Sequence, residues 1–494
     1  MPDALDALRL RTRRLSDHPV REDADYVLCW IGQALRAEEN PVIDAALAMG
    51  ATRDLPVVVL WTLENRYPYA SHRIHRFMLE AGQELGAGVE ARGLRFAHYV
   101  RQGAAAVDAP GVVDVTARLA RRAAAVFTND VPTFVALDYA QRLTETFDCA
   151  VFAVDACCAV PMNAFDEHYT VTKAFRAAHT KLRDAHLGLD LEQPETGYFD
   201  GDLDLPETPD LTDLDGDGLD EVIAECGVDM TVPPAPGWSG RRSAALARLA
   251  EAVEEIVPRY KWTRNNPALD GSSKLSPWMH FGVLSPREVA RAVIEAEEAG
   301  DVHPSARWKF LDELLTWREL YHHRCRWESD WSHWDGLPES ARKTLDAHAD
   351  DSRPHLYSLD ELTHGETDDH AWNAAQKQFL LDGWMNNNLR MYWVAQILQW
   401  RPDPRDAFAT ACYLNDRFSL DGRNASTYGG IRSGFGEARR WKERPVYGTV
   451  AGKTTSALMK RDGVPEWLEE QAAREVPFSA AIASDPPPAF DRYR

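Results

Sequence analysis

Over the first 155 residues, short apolar runs alternate with amphipathic stretches. Tyr26–Ile31, Leu55–Trp61, Leu94–His98, Ala124–Thr128 and Cys149–Val154 are five to seven residues long and rich in β-branched or aromatic side chains. Runs of this kind predict buried strands. Between them, Glu38–Met49, Ser71–Leu85, Val115–Arg122 and Thr133–Thr146 carry apolar residues at helical spacing. Alternating strand and helix predicts an α/β domain with a doubly wound parallel sheet, here residues 1–183. No GxGxxG turn follows the first strand, and Gly86, Gly88 and Gly93 come after a helix. That argues against a plain dinucleotide-binding fold.

From Trp238 onward the spacing turns helical. Arg242–Val257, Pro286–Ala299, Arg307–Tyr321, His370–Gln399 and Asp403–Leu414 repeat apolar positions near every 3.6 residues, with no strand-like alternation between them. Residues 238–494 are therefore expected to form an all-helical domain. Between the halves, 16 acids and no Lys or Arg lie from Asp184 to Met230. Residues 184–237 read as an acidic interdomain linker. Inside it, Asp213-Leu-Asp215-Gly-Asp217-Gly218 opens like a calcium loop, but Ala224 stands where a bidentate Glu is required. A solvated acidic loop is the better reading.

Composition adjusts this picture in three places. The net charge of −22 weighs against a nucleic-acid partner, yet Trp384–Gly463 holds 13 bases and 7 acids, a local +6 able to face phosphates. Of the 16 tryptophans, 14 lie at or beyond Trp238, so the two halves differ in kind. Seven cysteines without a CxxC, no secretory h-region and no apolar run of about 18 residues predict a reduced, cytoplasmic chain off the membrane. No metal is expected. Only Cys325 and Cys412 lie in the helical half, too few for an iron–sulfur cluster, and adjacent His322 and His323 do not face one way on a helix.

Candidate chemistry concentrates in the helical half. Asn265–Gly282 clusters hydroxyls, Lys274 and backbone amides ahead of an apolar helical run, a turn suited to a diphosphate. Helix capping by serine is its plain alternative. Trp393 and Trp400 are seven residues apart on one helix face, with Trp372 21 residues upstream of Trp393. Core packing and an electron-hopping path both suit such a stripe.

Together with Trp-Asn-Ala-Ala-Gln (372–376), Leu-Arg-Met-Tyr-Trp (389–393) and Tyr-Leu-Asn-Asp (413–416), these stretches resemble the cryptochrome/photolyase flavoproteins, most closely class II cyclobutane-dimer DNA photolyases. Tyr26–Asn40, Ala70–Leu85 and Val154–Pro161 resemble that family's N-terminal domain. The resemblance implies an α/β antenna domain joined to a helical FAD-binding catalytic domain. It implies that Tyr260, Ser272, Ser273, Lys274, Leu275 and Ser276 contact the FAD phosphates. Arg390 and Asp421 match an ion pair beside the isoalloxazine ring, and Asn415 the residue facing flavin N5. Trp393, Trp372 and Trp400 match the chain that reduces the flavin in light. Glu313 and Trp317 match residues on a flipped pyrimidine dimer, and Asn387, Arg439 and Arg440 are placed on the DNA side. UV-damaged DNA is the implied partner of a monomeric protein, with a second, antenna chromophore of unspecified identity.

Two positions depart from the family pattern. Ser433 stands where class II enzymes carry a second dimer-clamping Trp, and Met385-Asn386-Asn387 replaces their Met-His-Gly. Both favour a cryptochrome-like photoreceptor signalling to a protein. The Glu313–Trp317 pair, and only 36 residues after Leu458, favour a light-driven lyase that splits cyclobutane dimers. A flavoprotein with other redox chemistry is the third reading.

Overall fold

The computed structural model describes residues 4–103, 109–189, 194–437, 440–482 and 492–494. Six strands, β1 (Thr12–Arg14), β2 (Tyr26–Ile31), β3 (Val57–Leu63), β4 (Arg95–Val100), β5 (Ala123–Asn129) and β6 (Ala150–Val154), form one sheet in the order β1-β6-β5-β2-β3-β4. All neighbours pair in parallel except β1, which runs antiparallel to β6 along the edge. Every residue of β2 and β3 is buried, as their unbroken apolar runs require when helices cover both faces. The predicted helices appear as Pro41–Arg53, His72–Ala91, Val112–Ala120 and Val135–Thr146. Asn40 caps the first of them, accepting from Val42 N.

The acidic segment holds a helix that its composition conceals. Gly216–Cys226 buries Leu219, Ile223 and Cys226 and packs on His72–Ala91. Asp215, from the calcium-like loop, is its N-cap and accepts from Gly218 N. Asp220 pairs with His72 and Arg76 at 2.7 and 2.5 Å.

The rest is helical with one exception. Strands β7 (Arg440–Arg444) and β8 (Gly448–Val450) form an antiparallel hairpin, which corrects the expectation of a strand-free half. The sequence Arg440-Trp-Lys-Glu-Arg444 is exposed along β7, so no buried face imposes a period of two. The long apolar stretch from His370 to Gln399 is two helices, His370–Asp382 and Asn387–Trp400. Gly383 closes the first in the left-handed region at φ 60°, a cap that glycine takes without a Cβ penalty.

Buried arginines join the halves. Arg73, on His72–Ala91, donates to the carbonyls of Pro233, Phe418 and Leu380 at 3.0, 2.6 and 2.5 Å. Arg36 donates to Gly282 O at 2.5 Å and Ala156 O at 3.3 Å. Glu319 accepts from the amides of Ala159 and Val160 and bonds His179 Nε2 at 2.8 Å. Among the described residues, no helix is long and apolar enough to cross a membrane. Since Arg73→Met would strand three carbonyls, it is expected to lower stability by about 3 kcal/mol, read as a drop in the urea midpoint. An unchanged midpoint would remove Arg73 as the joint.

Candidate active site

Three successive elements bring the central polar residues together. Arg390 comes from Asn387–Trp400, Asn415 from Pro404–Phe418, and Asp421 from the turn that follows. Arg390 donates through Nη2 to Asp421 Oδ1 at 3.0 Å and through Nη1 to Asn415 Oδ1 at 3.2 Å. Ser276 and Ser419 donate to Asp421 at 2.7 and 2.5 Å. Burial by itself would raise the Asp421 carboxyl, but the Arg390 charge and these hydrogen bonds hold it below the usual carboxylate range. The structure thus brings Arg390, Asn415 and Asp421 into direct contact.

The serine-rich turn sits against it. Tyr260, Ser273, Ser276, Glu313, Asp421 and Ser426 line a cavity of about 630 Å³. Among the described residues, buried Arg390 Nε and Ser426 Oγ find no hydrogen-bond partner. Lys274, at φ 57°, turns away to pair with Asp270 at 2.8 Å and lies over Trp384. Ser272 accepts from Asn386 Nδ2 at 3.1 Å, and Leu275 is buried in the core. Lys274 and Asn386 both line the adjacent cavity of about 670 Å³.

Glu313 and Trp317 lie on a π-helical turn, Asp312–Trp317. The wider turn inserts a residue into the helix and re-aims these side chains, as π-bulges commonly do at functional sites. Glu313 is held by Lys309, four residues upstream on the same helical stretch, at 2.6 Å and by Arg264, remote in sequence, at 3.0 Å. Trp317 begins an aromatic row, with Tyr321 6.3 Å away and Trp331 6.0 Å beyond. Ser433 donates to Gly429 O, and a Cβ on Gly429 would meet the Tyr321 ring at 2.5 Å. Tyr321 thus packs where Ser433 and Gly429 leave room, a neighbour the sequence reading missed. Asn387 is exposed on the first turn of its helix, opposite Gly430. Arg440 is exposed on β7, and Arg439 lies outside the described residues.

The tryptophans form one continuous stack. Trp393 and Trp372 lie 6.1 Å apart with planes inclined by 3°, and Trp400 meets Trp372 edge-on at 5.5 Å. Trp372, from the neighbouring helix, therefore bridges two residues on one face of Asn387–Trp400. Trp393 donates to Gln376 Oε1, and Phe379 separates it from the Arg390 guanidinium. Trp393 and Trp372 have no exposed surface, while Trp400 is 6% exposed.

A further crevice opens where strand order reverses, between β2 and β5. Such switch points are the usual ligand crevices of open α/β sheets. Gln33, Glu64, Asn129 and Tyr139 line it, and His280 borders both this cavity and the one at Asp421. His280 shares a hydrogen bond with Asn424, and burial pushes its pKa down to about 3. His322 bonds Arg318 O, and His323 accepts from Tyr169 N, so the adjacent pair points to separate partners.

An imidazole that stays neutral to about pH 3 stabilises the fold fully above its unfolded pKa near 6.5. Its contribution falls as pH drops through that window, because only the unfolded chain takes the proton. Replacing His280→Gln should remove about 1.4 kcal/mol per pH unit from the acid-side slope of stability. Urea midpoints between pH 6.5 and 4 measure it, and equal slopes in both proteins would refute a neutral buried His280.

The family model described as DNA photolyase matches residues 27–196. A deoxyribodipyrimidine photo-lyase of Oryza sativa subsp. japonica is 31% identical over 443 residues, covering 86% of this chain and 83% of the relative. Another from Methanothermobacter thermautotrophicus is 27% identical, covering 93% and 97%. A class III photolyase structure from Agrobacterium tumefaciens superimposes with a TM-score of 0.65 at 17% identity, over 90% of this chain and 86% of that one. Fold, site geometry and sequence agree that the chain belongs to the photolyase/cryptochrome family.

Proposed function

We propose that this protein is a deoxyribodipyrimidine photo-lyase, a carbon–carbon lyase that uses FAD and blue light to split cyclobutane pyrimidine dimers in DNA. One juxtaposition carries the reading: a single cavity is lined by Asp421, the carboxylate that Arg390 holds, and by Glu313. The relatives named above support the photo-lyase activity.

The residues present fit FAD. Two buried donors, Arg390 Nε and Ser426 Oγ, await an acceptor, and the 272–276 turn offers hydroxyls and a cation. Tyr260, Ser272, Ser273, Lys274, Leu275 and Ser276 would hold the dinucleotide, with Lys274 leaving Asp270 for a phosphate. Bound FAD, reduced and excited, supplies the electron that opens the cyclobutane ring. With FAD bound, Arg390 would supply positive charge to the reduced ring, Asp421 would hold the guanidinium in place, and Asn415 would offer a neutral amide. Glu313 hydrogen-bonds the base edge once DNA phosphates draw off Lys309 and Arg264, and Trp317 walls the pocket. With an external one-electron reductant such as a thiol refilling Trp400, the row Trp400–Trp372–Trp393 would relay electrons inward. The switch-point cavity is our location for a second chromophore.

A photoreceptor is the second reading, favoured by Ser433 at the family's Trp position. Its cost to substrate stacking, about 1–3 kcal/mol per base, is offset in part by Tyr321. On the leading reading, purified protein releases FAD on denaturation and, once reduced, clears dimers from an oligonucleotide in blue light. Protein that binds FAD but leaves every dimer intact at saturating DNA would overturn the lyase in favour of the photoreceptor. Trp393→Phe should slow photoreduction at least tenfold while FAD content is kept; equal rates would leave the stack as core packing. Arg440→Ala with Lys442→Ala should weaken DNA binding and reduce the salt slope by about 2, since each phosphate contact releases a counterion. An unchanged slope would make the hairpin a merely solvated face.

A further inference from the structure

The support behind Asn415 reaches the far end of the chain. Asp416, fully buried, accepts four hydrogen bonds. Its Oδ1 takes Asn415 Nδ2 at 2.9 Å and Arg423 N at 2.8 Å. Its Oδ2 takes the hydroxyls of Tyr428 and Tyr493, each at 2.6 Å. Tyr493, next to the last residue, is itself fully buried. Its neighbours are seated too: Arg492 lies 4.4 Å over the Phe134 ring, and Arg494 pairs with Asp406 at 3.2 Å. Three consecutive residues therefore dock at three points, one at Phe134 and two along the helix Pro404–Phe418.

The amide of Asn415 is fixed from both ends. Arg390 donates to its oxygen and Asp416 accepts from its nitrogen, so a flip would set the amide oxygen against a carboxylate. The remaining N–H is left to donate. We infer that Tyr493 is a positioning residue for Asn415, acting through Asp416, so that the docked C-terminal segment tunes the electrostatics of the flavin site. The inference rests on the FAD reading above. Tyr428 holds the same carboxylate oxygen from Ala425–Gly434. With either hydroxyl gone, the negative charge on Asp416 is less dispersed and faces Asn415 more strongly. Electron uptake beside Asn415 then becomes less favourable.

The test compares Tyr493→Phe, Tyr428→Phe and Arg494→Ala in the full-length protein, by redox titration of bound FAD and by FAD affinity. Both Phe variants should disfavour FAD reduction by about threefold to tenfold in equilibrium constant, the scale of one ordinary net hydrogen bond, because the change in charge reaches the flavin only through Asn415. FAD affinity should stay within about twofold, because neither hydroxyl joins the cavity lining. Arg494→Ala, which alters the same tail without touching Asp416, should leave the potential at wild type. A lowered melting temperature with an unchanged potential in Tyr493→Phe would overturn the inference, as would an equal shift in Arg494→Ala. FAD-free protein supplies an independent arm, a double-mutant cycle between Tyr493→Phe and Asn415→Ala on unfolding midpoints. Additive effects there overturn the positioning role. Failure of the wild type to bind FAD overturns the flavin reading instead, with the cycle still deciding the coupling.

Discussion

A buried guanidinium holds the two halves of this molecule in register, and the site depends on it. Arg73 belongs to a helix of the sheet domain, yet two of its three acceptors are carbonyls at the ends of His370–Asp382 and Pro404–Phe418. Helix C-termini carry unsatisfied carbonyls and partial negative charge, so a cation there meets both needs. Immediately beyond those ends come Gly383, whose carbonyl accepts from Leu420 N at 2.8 Å, and the turn Ser419–Asp421. Asp421 is thus delivered to Arg390 by a turn pinned from the other domain. Separating the halves would expose an arginine, three carbonyls and the ion pair's footing together.

The same economy of charge governs the centre. Asp416 and Asp421 lie on either side of Asn415, one satisfied by hydroxyls and amides, the other by Arg390 and two serines. Asp421 borders the cavity with both carboxylate oxygens already engaged, and Asp416 does not line it. Asn415 stands between them as a neutral group in a charged frame, with one N–H uncommitted. A lone buried charge would cost several kcal/mol, whereas these are distributed over many donors.

Much of this was legible because periodicity reports burial. β2 through β6 and their helices matched the apolar runs within a few residues, since a sheet covered on both faces must be apolar throughout. Arg390, Asn415 and Asp421 were legible through motif order. What escaped lacks a periodic signature. β7 is exposed and β8 only three residues long, Gly216–Cys226 hides its three buried residues among acids, and the π-turn at Glu313 depends on packing. Arg264 joins Glu313 from a distant stretch and Tyr493 reaches Asp416 across 77 positions, contacts that no local window contains, whereas Lys309 and Tyr321 each sit one helical turn from their partners Glu313 and Trp317.

The tryptophan stack makes the same point about distance. Seven residues of helix rise about 10.5 Å, too far for Trp393 and Trp400 to touch along one face. A third ring must enter from outside, and Trp372 does so from the antiparallel neighbour, donating to Trp393 O as it lies flat against that indole. The break at Gly383 is what allows this, because it folds one apolar stretch back on itself and sets the two helices side by side. Continuous helix from His370 to Gln399 would place the rings on a line instead of in contact. A single left-handed residue therefore decides whether three indoles are scattered or joined, and the same turn carries the chain from the stack to Arg390.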